Sequence, residues 1–455
     1  MKITQLYYST NRKAPLVTFR DALMNGLAPD GGLYMPESIP VFGTLPIEDM
    51  KSMSYAELAY FLLNALLKNE IDNDKLKDIC VSAYNYEIPL EKVNGNKYIM
   101  RLDRGPTASF KDFAARVMGR LMEYYHAEGS QKITILTATS GDTGGAIANA
   151  FHGLRNIKAV ILYPASEVTD FQRKQMTTLK DNISAIALNG KFDDCQLLVK
   201  KAFMDPGFSG MHLTSANSIN IGRLLPQTVY YFWAWSRISE NAAEPVIFSV
   251  PSGNFGNLMG GLIAKKMGLP VERFIVATNE NDEVPEYLRT GSYKVIKPSR
   301  NCISSAMNVG HPSNMARVIA LYDGMMDEKG IIHKAPDLKR LRSDLYAVGI
   351  SDRLTRETIG NFYKKYRMIL EPHGAVAWAG LEEFLNNSAA TASASCPCIV
   401  LETAHPAKFR DEIVGVLDIM PEVPSELNEI YHKSEDYITL ENNYESFRDY
   451  LLKSI

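Results

Sequence analysis

Lys132-Ile133-Thr134-Ile135-Leu136-Thr137-Ala138-Thr139-Ser140-Gly141-Asp142-Thr143-Gly144-Gly145-Ala146-Ile147-Ala148 changes character twice along its length. The part up to Ala138 is apolar and β-prone, as in a strand buried on both faces. Thr139 to Thr143 is a polar turn, and the small residues from Gly144 to Ala148 open a closely packed helix. The same order of strand, turn and helix then recurs. Ala159 to Tyr163 reads as a second strand, stopped by Pro164, and Asp170 to Leu179 as a polar, helix-like connection. Ile183 to Leu188 reads as a third strand, followed by helical spacing from Asp193 to Phe203. Pro245 to Val250, Phe274 to Ala277 and Cys398 to Leu401 are also short, apolar and β-prone. Strands alternating with helices imply an α/β fold with parallel sheets covered on both faces.

The flanking regions differ. Residues 1 to about 95 carry mainly helical patterns, such as Tyr55 to Leu67, around a turn cluster at Ala28-Pro29-Asp30-Gly31-Gly32-Leu33. Asn386 to Ser395 is rich in Ser, Ala and Asn and reads as a surface loop. No repeat and no heptad pattern is present. At 455 residues the chain exceeds one ordinary core, so two or three domains are expected. Its 46% hydrophobic and 22% charged residues are ordinary for a globular protein. A net charge of -3 gives no electrostatic case for nucleic acid or an anionic membrane. The richest apolar run, Val229 to Trp235, is too short to span a bilayer, and Met1 to Pro15 has no apolar signal core. Cys80, Cys195, Cys302, Cys396 and Cys398 are scattered and odd in number, and Cys396-Pro397-Cys398 is too tight for a zinc clip. Reduced cytosolic thiols and a cytoplasmic location are the expectation. The histidines are dispersed, with neither HExxH nor GxSxG spacing, so no metal is expected.

Four turns carry the chemistry. Lys111 lies between Phe110 and Phe113, after the turn Gly105-Pro106-Thr107. An apolar setting disfavours an ammonium and makes the amine a better nucleophile towards an aldehyde, although most lysines at a helix start are merely solvated. Gly253-Asn254-Phe255-Gly256-Asn257 follows a strand and precedes a helix. Glycines there let backbone N–H groups approach an anion, and the helix dipole adds to the attraction. A ligand-free strand-to-helix turn is equally ordinary. Ser140 and Thr143 flank Asp142 in the turn quoted first; they offer groups for a carboxylate, but alone Asp142 reads more readily as the helix cap. Ser215 to Arg223 is another polar turn before a helix, and Arg suits a bidentate oxyanion grip. Leu401-Glu402-Thr403-Ala404-His405-Pro406 closes the series as a strand end carrying a hydroxyl. An amine for an aldehyde and a cradle for a phosphate are together what pyridoxal 5'-phosphate requires.

With these motifs in order, the chain resembles the threonine synthase family, fold-type II enzymes dependent on pyridoxal phosphate. The likeness covers nearly the whole chain. It rests on Tyr8-Ser9-Thr10, Gly26 to Pro36, Gly105 to Asp112, Gly253 to Asn257, and Thr403-Ala404-His405-Pro406-Ala407-Lys408-Phe409. Asn11-Arg12-Lys13 departs from the Arg-Gly usual in the family after Ser-Thr. The resemblance implies two parallel-sheet lobes and a mainly helical N-terminal domain. The expected division is an N-terminal domain over 1–95, a catalytic region over 96–425 with a mobile lobe at about 130–220, and a C-terminal extension over 426–455. It also implies that Lys111 holds the cofactor aldehyde and Gly253, Asn254, Phe255, Gly256 and Asn257 its phosphate. Thr403 would meet the pyridine nitrogen, and Asp142 would lie near the ring hydroxyl. A hydroxyl at Thr403, unlike a carboxylate, would not keep that nitrogen charged, which tempers the electron sink. Ser140, Thr143, Ser218, Asn220 and Arg223 would line the substrate pocket. The implied reaction turns O-phospho-L-homoserine and water into L-threonine and phosphate, in a monomer or homodimer. A phospho-lyase on the same substrate, a serine or threonine dehydratase, and a non-enzymatic small-molecule sensor are the alternatives.

Overall fold

Ile133–Ala138 is a strand buried at every position, and Asp142–Phe151 is the helix that follows it. The computed structural model describes residues 5–43, 46–68, 70–126, 132–387 and 395–454. Within them lie two largely parallel sheets, and turns that follow strands of both line one cavity. The five strands of the smaller run in the order Ile438–Glu441, Ile183–Asn189, Ile157–Pro164, Ile133–Ala138, His212–Ser215, all parallel. The six strands of the larger run Leu345–Gly349, Val271–Thr278, Val246–Pro251, Cys398–Glu402, Lys97–Arg101, Leu90–Asn94. Only the last pair is antiparallel.

Helices bury their apolar stripes on both faces. Lys111–His126 packs against Asp142–Phe151, and the close approach is set by Gly119, where a Cβ would lie 2.9 Å from Ala150 O. Pro372–Asn387 covers the larger sheet, and Gly380 brings it within 2.9 Å of the Ala277 side chain at the Cβ position. That helix reaches Asn387, two residues into the loop expected over 386–395; residues 388–394 lie outside the described residues.

The N-terminal part holds helices Phe19–Asn25, Ile47–Ser52, Tyr55–Leu67 and Asn73–Ala83. It also holds an antiparallel sheet that the helical pattern gave no hint of: Val17–Thr18, Leu6–Ser9 and Tyr34–Pro36. Its strands are too short for an alternation to register. Asp30 ties this sheet together. Its carboxylate accepts from Ser9 Oγ at 2.6 Å, Gly32 N at 3.0 Å, Lys13 N at 2.9 Å and Ala14 N at 2.8 Å. The Asn11-Arg12-Lys13 departure is absorbed in this turn. Arg12 takes a positive φ of 60° and stacks its guanidinium 3.5 Å from the centre of the Tyr8 ring. At the other boundaries, Leu90–Asn94 hydrogen-bonds into the larger sheet and Ile438–Glu441 extends the smaller one.

One buried side chain fixes how the N-terminal sheet meets the rest. Arg317, fully buried, donates to Tyr34 O at 3.1 Å, Ser218 O at 3.1 Å, Ile219 O at 2.6 Å and Asn314 Oδ1 at 2.7 Å. Burial pushes its guanidinium down to about 9. Each buried acceptor left without a donor costs about 1–3 kcal/mol. Arg317→Ala is therefore expected to lower the midpoint of denaturant unfolding markedly, and a midpoint equal to that of the wild type contradicts this role.

Candidate active site

In open parallel sheets, ligands bind beyond the carboxyl ends of strands where the strand order reverses. Both sheets reverse order at this cavity. In the larger sheet the reversal falls between Val246–Pro251 and Cys398–Glu402, which deliver Gly253 to Asn257 and Thr403. In the smaller it falls at Ile133–Ala138 and His212–Ser215, which deliver Ser140 to Thr143 and Ser218 to Arg223. The space between measures about 940 Å³, its open mouth included. Its lining includes Lys111, Ser140, Asp142, Thr143, Ser218 and Arg223, together with Thr403 and all five residues from Gly253 to Asn257.

Lys111 begins its helix, and the preceding turn is clamped by Asp112. The Asp112 carboxylate accepts from Thr107 N at 2.9 Å and Thr107 Oγ1 at 2.6 Å. A Cβ on Gly105 would sit 2.4 Å from Asp112 Oδ2, so this turn requires glycine. Phe110 N donates to Thr403 O at 2.9 Å, which holds the amine's turn beside the strand end that carries Thr403. The Lys111 side chain is 13% exposed, and burial lowers its pKa against the opposing pull of Asp142; Lys408 and Arg223 lower it further.

Asp142 does not cap its helix. The Thr139 hydroxyl takes that role, accepting from Gly141 N at 3.0 Å and Gly144 N at 2.8 Å. The Asp142 carboxylate is thereby left to the site: Oδ1 accepts from Lys408 Nζ at 2.6 Å and Gln172 Nε2 at 3.0 Å, and Oδ2 faces Lys111 Nζ at 3.7 Å. Burial alone would raise this carboxyl, but Lys408, then Lys111, hold it well below the usual carboxylate range.

The 253–257 turn presents main-chain N–H groups that no backbone carbonyl among the described residues takes up. Phe255 adopts a left-handed φ of 62°, which turns the chain into Gly256–Lys266. Asn257 Oδ1 accepts from Tyr230 Oη at 2.6 Å and Tyr231 Oη at 2.7 Å, so its Nδ2 is directed away from them and is buried without a partner. A buried donor with no protein partner signals a ligand acceptor. Gly253 is held for a further reason: a Cβ there would lie 2.9 Å from Ala306 O and Met307 Cα.

Arg223 is a second buried donor. Nη1 donates to Ala216 O at 2.6 Å while Nε has no partner. Burial pushes its guanidinium down to about 10 against the pull of Asp112, and among the described residues no carboxylate lies within ion-pair distance of it. Asn220 is a correction to the expected pocket lining. Its Nδ2 donates to Leu23 O at 2.8 Å and Ser215 O at 3.0 Å, and its Oδ1 accepts from Gly222 N at 2.9 Å. The amide is used up in shaping the loop, and it does not reach the cavity.

Lys408 and His373 were not singled out as site residues in the sequence. Lys408 is fully buried and also donates to Thr107 O at 2.9 Å. The only hint of it was its place in the string from Thr403 to Phe409. His373 lines the cavity from the start of Pro372–Asn387. Among the described residues no group of three or more His, Cys, Asp or Glu could hold a metal, and no helix is long and apolar enough to cross a membrane.

Two sheets converging on a buried amine and an amide cradle define a pyridoxal-phosphate-dependent enzyme, and that family's profile matches residues 82–400. Residues 6–84 match the threonine synthase N terminus and residues 375–451 the threonine synthase C-terminal region. Threonine synthase of Haemophilus influenzae is 40% identical over 98% of this chain and 99% of its own, and that of Escherichia coli 39% identical over 91% of each. The structure of PLP-bound threonine synthase from Brucella melitensis superposes with a TM-score of 0.90 at 33% identity, covering 98% of this chain and 99% of that one. The chain belongs to the threonine synthase family.

Lys408 repels the Lys111 ammonium and occupies one oxygen of Asp142. Removing it takes away the repulsion and frees the carboxylate, and both changes favour the charged form of Lys111. In Lys408→Met the pH midpoint for aldehyde capture by Lys111, read by reductive trapping, is expected to move to higher pH. A midpoint that stays put or moves lower contradicts the coupling.

Proposed function

We propose that this chain converts O-phospho-L-homoserine and water into L-threonine and phosphate, with pyridoxal 5'-phosphate attached through Lys111. One observation carries the reading: a buried amine shares its cavity with two separate unpartnered donors for anions, Asn257 Nδ2 in the amide turn and Arg223 Nε across from it. The residues fit the cofactor. The 253–257 amides and Asn257 Nδ2 would take its phosphate, Lys111 its aldehyde, and Thr403 its pyridine nitrogen. Asp142 would lie near the ring hydroxyl. Lys408, although close, is tied to Asp142 and Thr107 O and does not line the cavity, which leaves Lys111 as the attachment point.

When bound, the cofactor supplies an electron sink for charge that develops at the substrate's α-carbon. The chain supplies the rest. Lys111, its charge disfavoured by burial, takes the α-proton at Nζ and returns protons to the same face. Arg223 grips the substrate's phosphate and holds it as it leaves. Ser140, Thr143 and Ser218 orient the carboxylate end. The smaller lobe, about 130–220, closes over the substrate so that only the reacting water has access. We further infer three domains close to 1–95, 96–425 and 426–455, a cytoplasmic enzyme, and a monomer or homodimer with no nucleic-acid partner.

The direct test is product analysis. O-phosphohomoserine is expected to give threonine and phosphate in equal amounts, whereas a keto acid in place of threonine points to a phospho-lyase. Lys111→Ala is expected to fold, lack the visible cofactor band and show no turnover; a retained band with full activity overturns its role. Losing one charge-assisted contact costs roughly 1.5–3 kcal/mol. Arg223→Ala should therefore lose on the order of tenfold to a hundredfold in kcat/KM with a normal cofactor spectrum. Wild-type kinetics, or loss of the cofactor, would show that the second anion site lies elsewhere.

A further inference from the structure

Helix Asp170–Thr177, which follows Ile157–Pro164, sends two buried amides toward the surroundings of the amine. Gln172 and Gln175 lie one turn apart on one face. Gln175 Nε2 donates to Thr107 O at 2.9 Å, in the turn before Lys111. Gln172 Nε2 donates to Asp142 Oδ1 at 3.0 Å. Glycines make room for both. A Cβ on Gly141 would lie 2.4 Å from Gln172 Cδ, and one on Gly145 would lie 2.9 Å from Gln175 Oε1. The helix is held from its other side by the C-terminal segment. Arg173 Nε donates to Glu435 Oε1 at 3.1 Å, Lys174 Nζ to Tyr431 O at 2.9 Å, and Asp436 N to Thr177 O at 2.6 Å.

The Gln172 amide has no choice of orientation. Thr169 caps the helix, its Oγ1 accepting from Gln172 N at 3.4 Å, and Gln172 Oε1 accepts in return from Thr169 N at 3.1 Å. A main-chain N–H can only donate, so the carbonyl end of the amide stays with Thr169 and the NH2 end faces Asp142. Asp142 Oδ1 then has two donors, Lys408 Nζ at 2.6 Å and Gln172 Nε2. Oδ2 is the oxygen left for Lys111, 3.7 Å from Nζ. The other titratable groups around Lys111 are Lys408 after Thr403, Arg223 from the 215–223 turn and Glu371 before Pro372–Asn387. Asp112 stands next to it on its own helix, and His373 lines the same cavity. None of these belongs to Asp170–Thr177, whose contribution to the cluster is the neutral Gln172 amide.

We propose that Gln172 is a positioning residue for Lys111: its NH2 occupies Asp142 Oδ1, so that the carboxylate meets the amine through Oδ2 alone. The helix cap and the contact to the site are the two ends of one amide. The inference rests on Lys111 as the reactive amine of the proposed function.

Gln172→Glu separates the two ends. A glutamate keeps the cap, because its carboxylate accepts from Thr169 N as the amide does. Towards Asp142 it turns a negative charge in place of a donor. A residue that only caps the helix leaves Lys111 unaffected by this change. A positioning residue does not, since the added charge favours the Lys111 ammonium by on the order of one pH unit. The experiment is reductive methylation of the full-length chain, cleared of cofactor, with formaldehyde and cyanoborohydride across a pH series. Methylation at Lys111 is read by peptide mass spectrometry. In Gln172→Glu its midpoint is expected at higher pH than in the wild type, and a midpoint that is unchanged or lower overturns the proposal. Gln172→Met removes the donor without adding charge and leaves Asp142 to lean on its remaining cations. It is expected to move the midpoint in the same direction by less, and it decides by the same criterion if the glutamate variant does not fold. If Lys111 takes up no methyl group in the wild type at any pH, the proposed attachment point fails. If it does and the midpoints coincide, only the role of Gln172 fails.

Discussion

Asp142 is held out of water between two lysines, 2.6 Å from Lys408 and 3.7 Å from Lys111. Charges in such a setting are costly unless paired and hydrogen-bonded. The cluster holds two ammonium groups and one carboxylate, so it is one negative charge short. Lys408 takes the shorter contact and a second acceptor, Thr107 O. Lys111 is left with the longer contact and a depressed pKa. The reactive amine is thus a product of competition for one carboxylate. Asp142 is free to arbitrate because Thr139 has taken over the helix cap, and Gln172 shares Oδ1 with Lys408.

The same economy of partners governs the anion sites. Asn257 and Arg223 each spend one end on the protein and leave another without a partner in the cavity. Arg317 links the two turns from behind: it holds Ser218 O and Asn314, and Asn314 Nδ2 in turn donates to Asn254 O at 2.9 Å. The N-terminal sheet enters this chain through Tyr34 O. The N-terminal sheet, which lines none of the cavity, is thus tied through Arg317 to both turns.

What could be read in the sequence was what local order determines. Lys111, Ser140 to Thr143 and Gly253 to Asn257 sit at strand-to-helix turns, and the turns are visible because apolar runs flank them. Edge strands such as Leu345–Gly349 and Ile438–Glu441 went unread, since half-exposed strands of four or five residues carry too little pattern. Lys408 and Arg317 were beyond reach for another reason. Their partners lie far along the chain, with Thr107 301 residues from Lys408 and Tyr34 283 from Arg317, and only the closed sheets bring them together. Asn220 failed in the opposite way. Its amide suits a ligand, but Leu23 O, Ser215 O and Gly222 N claim it first.

The central claim is that one cavity holds two phosphates at once, each on its own set of donors. Phosphorus magnetic resonance of the holoenzyme, titrated with an unreactive phosphonate analogue of O-phosphohomoserine, tests it directly. The account predicts a second bound resonance that grows to equal the cofactor's while the cofactor's own line remains. Displacement of the cofactor by the analogue, or no bound phosphonate line at saturation, would contradict it.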